Sequence, residues 1–168
     1  WGAMLTVLRQ NAVRILEPAQ IAYFRGRAYE ELGHLETAAE FMRYAAQLNR
    51  SFHYFELDLV RRVDPEEALR LAQHDLETEH ETFAVKSLAA GIVFQSTRRM
   101  AEPESRPVYE KIVSVLKGTL GQQPKNGPIL PAVQAHAFIT LGLALDALGR
   151  SDEALHAYDR AVEAEPNN

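Results

Sequence analysis

The sequence predicts an all-α fold, an α-solenoid of antiparallel helix pairs, with about four pairs behind one leading helix. Three observations predict it. An eight-point pattern occurs twice, its glycines 116 residues apart. Around Gly26 it reads Ala28, Tyr29, Leu32, Gly33, Ala38, Met42 and Ala45; around Gly142 it reads Ala144, Leu145, Leu148, Gly149, Ala154, Tyr158 and Ala161. The offsets from the glycine are +2, +3, +6, +7, +12, +16 and +19 in both. Such self-similarity marks units that bury their apolar faces against one another. Apolar residues also recur at helical spacing, and no segment shows the sustained two-residue alternation of a strand. Finally, start and stop signals punctuate these runs: Asp64-Pro65-Glu66-Glu67 opens a helix, and Leu32-Gly33 closes one.

The leading helix, Met4 to Leu16, carries Leu5, Leu8, Ala12 and Ile15 on one stripe with Arg9 and Arg14 off it, and stops before Pro18. Ala19 to Glu31 is the next helix, ended by the left-handed turn that Gly33 supplies. Leu35 to Leu48 and Phe52 to Val63 follow. Asp64 then serves as N-cap and Pro65 as first helical residue of a helix with Ala68, Leu69, Ala72 and Leu76 on one face. Thr82 to Met100 is expected as one long helix, apolar nearly all round in its first half and therefore central. Pro103 and Pro107 flank the start of a helix at Val108 to Leu116. Gly118 to Pro131, with its Gly and Pro content, is expected to be a loop. Ala132 to Leu148 and Asp152 to Ala164 form the last pair, with Ser151 or Asp152 as the N-cap between them.

Composition bounds the function. Hydrophobic residues make up 46% and charged residues 24%, which fits a globular protein with a core. A net charge of −5 and a pI near 5.7 argue against nucleic acid as partner, because sequence-independent binding needs clustered cations. Arg61-Arg62 and Arg98-Arg99 are short and suit helix C-termini, where a cation meets the negative end of the dipole. With no cysteine, disulfides, thiolate catalysis and cysteine-held zinc are excluded. No apolar run is long enough to span a bilayer, and the stretch Phe83 to Phe94 is broken by Lys86 and Ser87. That pattern, without a secretion signal, favours the cytoplasm. The opening Trp1 suits a segment of a longer protein or a processed form. His74-x-x-Glu77-x-x-His80 is not expected to hold a metal, since His80 lies well round the helix from His74. No nucleophile triad, phosphate loop or zinc-protease spacing appears, so no enzyme and no cofactor are expected.

The residues Phe138, Leu141-Gly142, Leu145, Gly149, Ala154, Tyr158, Ala161 and Pro166 resemble the tetratricopeptide repeat. The segment from Ala19 to Ser51 resembles it too, with Arg25 where leucine is usual and Arg50 where proline is usual. The resemblance implies one array over 1–168: leading helix 1–17, regular repeat 19–51, short degenerate repeat 52–79, long degenerate repeat 80–131 and regular repeat 135–168. It implies that Gly142 and Ala154 sit where the helices of one pair cross, and that Tyr158 and Ala161 face the next pair.

Repeats of this family bind an extended peptide or partner helix along the face lined by the first helix of each pair. The resemblance places Gln20, Tyr23, Phe24, Arg27 and Glu30 there from the first regular repeat, and His136, Ile139, Thr140 and Leu143 from the last. Weaker alignment adds His53, Tyr54 and Lys86. Tyr23 and Phe24 suit packing against a neighbouring helix equally well. The Lys, Asn and Arg set by which one subclass grips a chaperone's terminal carboxylate is missing. The expected function is a protein-interaction module whose partner is another protein or peptide. The alternatives are a regulatory or substrate-presenting domain of a larger enzyme, and a small-molecule or signalling-peptide receptor with a closed pocket near Tyr23, Tyr54 and Lys86. The leading helix and the uncapped C-terminal repeat are candidates for self-association.

Overall fold

A computed structural model describes Thr6, residues 16–121 and residues 130–165. Eight α-helices and one 3-10 turn occur among the described residues, with no strand. The predicted leading helix, Thr6 and Leu16 apart, the interior of the predicted Gly/Pro loop and Pro166 lie outside them, and Leu16 is in a bend and not in a helix. Contacts group the chain into two compact units, Trp1–Ala68 and Leu69–Asn168, and each is described by itself.

In the first unit, α1 (Pro18–Glu31) packs against α2 (Leu35–Leu48), and a 3-10 turn (Arg50–Phe52) leads to α3 (His53–Val63), which packs along α2. Pro18 stands at the first helical position, and the Glu17 N–H donates to Gln20 Oε1 at 3.1 Å in a capping box. The end of α1 is equally explicit. Gly33 has φ +80°, its N–H donates to Glu30 O at 2.9 Å, and the His34 N–H donates to Tyr29 O at 3.0 Å. This is the Schellman pattern, which satisfies two otherwise orphaned carbonyls. Asn49 Oδ1 accepts from the Ser51 N–H at 3.0 Å and starts the 3-10 turn. Asp64 Oδ1 accepts from the Glu67 N–H at 2.9 Å, so α4 (Pro65–Glu77) begins as the sequence predicts.

In the second unit, α5 (Phe83–Thr97) packs against α6 (Ser105–Leu120) and α7 (Pro131–Ala147), and α7 packs against α8 (Ser151–Ala164). Thr82 Oγ1 caps α5 by accepting from the Val85 N–H at 3.3 Å. Val85, Leu88, Ala89, Ala90, Val93 and Phe94 are all buried, so this helix is central to its unit, as its all-round apolarity predicts. Helix α6 is longer than predicted at both ends. Pro107 falls in its first turn, where a missing N–H costs nothing, and Gly118 is carried within its last turn to Leu120. The predicted loop is shorter accordingly. The end of α7 repeats the end of α1: Gly149 has φ +74°, with Gly149 N–H to Asp146 O and Arg150 N–H to Leu145 O, both 2.9 Å. Neither Ser151 nor Asp152 is the N-cap of α8. Arg150 occupies that position and no side chain caps the helix, because the chain passes straight from the Schellman turn into it. Arg150 instead donates to both carboxylate oxygens of Glu153, at 2.6 and 2.8 Å.

The pairs close on their glycines. A Cβ placed on Gly142 would lie 2.4 to 2.8 Å from three ring carbons of Tyr158, and one on Gly26 would lie 3.0 to 3.2 Å from three atoms of Met42. Met42 and Tyr158 hold the same place in the repeat, so one physical contact explains both glycines. Tyr158 therefore packs within its own pair. Its hydroxyl donates to Asp146 Oδ2 at 2.9 Å. Around the crossings, Ala28, Ala38 and Ala45 in one pair, and Ala144, Ala154 and Ala161 in the other, are buried. Each α-helix of about this length is marginal by itself in water, so this close packing supplies most of its stability.

The departure at Arg25 has a partner. Its guanidinium lies 5.9 Å from the centre of the Phe41 ring, and Phe41 stacks on Tyr29 at 5.5 Å. The equivalents in the last pair are Leu141 and Ala157, both buried. Two positions differ together: a cation over a ring in one pair, two buried aliphatic side chains in the other.

Two expectations follow. Gly142→Ala gains about 1 kcal/mol of helix propensity. It loses about 1–3 kcal/mol by displacing a ring that cannot bend away, so its melting temperature should fall by several degrees. Gly26→Ala meets only a flexible methionine, which can shift, and should be neutral or stabilising. Thermal unfolding followed by circular dichroism checks the contrast; equal stability of the two variants would refute it. Separately, desolvation, the hydrogen bond to Asp146 and its charge push the Tyr158 phenol up to about 12. Since the folded value is raised, the stabilisation is complete below the unfolded value of 10.0 and is lost as pH climbs from there through about 12. Tyr158→Phe should remove the latest step of an absorbance titration, and its stability deficit should shrink across that window.

Candidate interaction surface

In the first unit, α1, the 3-10 turn and α3 bring five aromatic rings together. The Tyr23 ring stacks on Phe52 at 5.0 Å, meets Phe55 at 4.9 Å in a tilted arrangement and meets the edge of Phe24 at 5.3 Å. Tyr54 meets Phe55 edge-on at 5.6 Å. All five are half-buried, so the cluster both joins α1 to the start of α3 and leaves ring surface in water. Burial and the charge of Asp58 raise the Tyr54 phenol above its ordinary value, against a smaller opposing effect of Arg61. It is therefore a neutral donor at physiological pH. Phe52 and Phe55 are not among the residues the sequence predicts for this face. The signal that points to them is their place on either side of Tyr54, at the start of a helix that follows a repeat.

Charge is already paired beside this cluster. Glu30 on α1 accepts from Arg27 at 2.5 Å and from Arg62 at the end of α3, and Arg27 also lies 3.6 Å from Glu31. Arg62 thus does more than flank a helix C-terminus. It ties α3 to α1. Gln20 serves the capping box of α1. His53 is buried, with Nδ1 2.8 Å from Glu56 Oε2, so it belongs to the packing and not to an open face.

In the second unit, the first helices α5 and α7 meet at a glycine. A Cβ on Gly91 would lie 2.9 Å from Cε1 of the His136 ring. The Ser87 hydroxyl donates to Val133 O at 3.4 Å, and its oxygen lies 3.2 Å from His136 Nδ1. His136 keeps an exposed edge, whereas Thr140 is buried, turned towards Gly91, and is no part of an open face. Ile139 and Leu143 stand one turn apart on α7, 42% and 37% exposed. Lys86 is half-buried on α5. Ser87, which interrupts the apolar run of α5 in the sequence, is the residue that holds His136.

The residues of the His74-x-x-Glu77-x-x-His80 spacing are engaged otherwise or set apart. Thr78 Oγ1 lies 3.5 Å from His74 Nε2. Glu77 accepts from Lys111 Nζ at 2.6 Å, which holds its carboxyl below the ordinary value, and α4 ends at Glu77, before His80. Another exposed acid is held more firmly. Glu153 accepts from Arg150 and, at 2.6 Å, from Lys117 of α6, which together pull its carboxyl down to about 2. No helix among the described residues is long and apolar enough to cross a membrane.

Sequence profiles of the tetratricopeptide repeat match residues 19–52 and residues 135–168. A comparison with curated proteins gives no match. Among solved structures, the crystal structure of MamA is similar, with a TM-score of 0.56 at 18% identity, covering 98% of this chain and 86% of that one. At that identity the likeness concerns the fold. The two matched segments are the two pairs that share the Schellman turn and the glycine crossing. The chain is a helical-repeat protein carrying two tetratricopeptide repeats, α1–α2 and α7–α8.

Proposed function

We propose that the chain is a non-catalytic protein-interaction module that takes a peptide or helix of a partner protein along the first helices of its pairs. The observation that carries this is the half-buried aromatic cluster Tyr23, Phe24, Phe52, Tyr54 and Phe55, whose rings offer apolar surface with the Tyr54 phenol as a donor. On α7, Ile139 and Leu143 offer an aliphatic pair of the same kind. Rings of this type lose little conformational freedom on binding, which makes them efficient anchors. Because Arg27 and Arg62 already neutralise Glu30, the surface favours an apolar segment over a strongly charged one.

Peptides selected from a displayed library on the immobilised chain, then measured by fluorescence anisotropy, provide the test. Phe24→Ala and Tyr54→Ala should each weaken binding about tenfold, and Arg27→Ala by a few-fold at most. Unchanged affinity in both aromatic variants, with their helicity intact, would overturn the proposal.

A further inference from the structure

Ser87 and Gly91 lie one turn apart on α5, and both meet the imidazole of His136 on α7. Ser87 is 1% exposed, and its oxygen, 3.2 Å from His136 Nδ1, is itself fixed by the hydrogen bond to Val133 O. A Cβ on Gly91 would stand 2.9 Å from Cε1 and 3.2 Å from Nε2 of the same ring. One residue anchors the ring and the other leaves it room, yet His136 as a whole stays exposed. A surface group held in this way loses little freedom when it meets a ligand.

The surroundings say which ligand. His136, Ile139 and Leu143 fall at i, i+3 and i+7, on one stripe of α7. Lys86 is the only ionisable residue of α5, and it takes part in no ion pair among the described residues. The only acid of α7, Asp146, stands about 15 Å along the helix from His136 and accepts from Tyr158. On α6 and α8, which also pack against α7, Glu110, Glu153 and Glu163 are paired with nearby arginines. The two first helices thus set basic groups beside an aliphatic pair, with no acid of their own close by. We infer that His136 is a specificity-determining residue that reads an acidic side chain in a partner segment whose aliphatic residues lie on Ile139 and Leu143. Ser87 and Gly91 are its positioning residues. The inference rests on the interaction role proposed above. A protonated imidazole attracts the carboxylate, so affinity for such a segment rises as pH falls through the ordinary imidazole range, about 6.5. A segment with an amide in place of the acid gains nothing.

The test selects a displayed peptide library on the whole chain at about pH 5.5 and keeps the peptides that Ile139→Ser with Leu143→Ser weakens. The best acidic peptide and its amide twin are then measured by fluorescence anisotropy at about pH 5.5 and about pH 8, both above the carboxylate range. The acidic peptide should bind about two- to fivefold more tightly at the lower pH, and the twin equally at both. His136→Gln should abolish that difference and keep the affinity the twin retains. Gly91→Ala crowds the ring while favouring the helix, so it should diminish the difference in a chain whose helicity is intact. Peptides on this face that carry no acid, pH-independent binding of the acidic one, or a pH dependence that survives in His136→Gln would overturn the inference and leave the interaction role standing. A library that yields no binder at all would overturn both.

Discussion

Everything in the two regular pairs depends on how closely their helices approach at one glycine. At Gly142 the ring of Tyr158 fills the space a side chain would need, and at Gly26 the more flexible Met42 lies close by, 3.0 to 3.2 Å from where a Cβ would stand. With the axes that near, the residues around each crossing must be small, and the alanines at +2, +12 and +19 are. The turn between the helices must then be tight, which calls for positive φ at Gly33 and Gly149. Spacing, composition and turn chemistry are consequences of one distance.

That constraint is local in sequence, which is why it is legible there. A turn of a few residues joins its two sides, so the glycine, the alanines and the closing turn repeat at fixed offsets. Helix starts governed by one capping residue, such as Asp64, are equally plain. Long-range partners are not. Nothing near Arg62 announces Glu30, and nothing near Ser87 announces His136, because each pair is formed by packing between separate helices. The same limit explains His53 and Thr140, which are buried by packing between separate helices. The ends of α6 differ from expectation for another reason: proline and glycine break a helix in its middle and are tolerated in its terminal turns.

The surfaces that remain open differ in chemistry. The first helices of the first unit offer aromatic rings beside an ion network already closed on itself. The first helices of the second unit offer an aliphatic pair beside a held imidazole. A repeat scaffold can present such different faces because its stability resides in the crossings, leaving the outward positions free to vary.

The exchange of Leu141 and Ala157 for Arg25 and Phe41 has a consequence for how the chain assembles. Repeats built on one pattern invite mistaken partnering, in which the opening helix of one unit seizes the closing helix of another. If α1 met α8, the guanidinium of Arg25 would lose its ring and face the methyl of Ala157; if α7 met α2, Leu141 would crowd against Phe41. The exchange therefore works against the wrong pairings and favours the right ones.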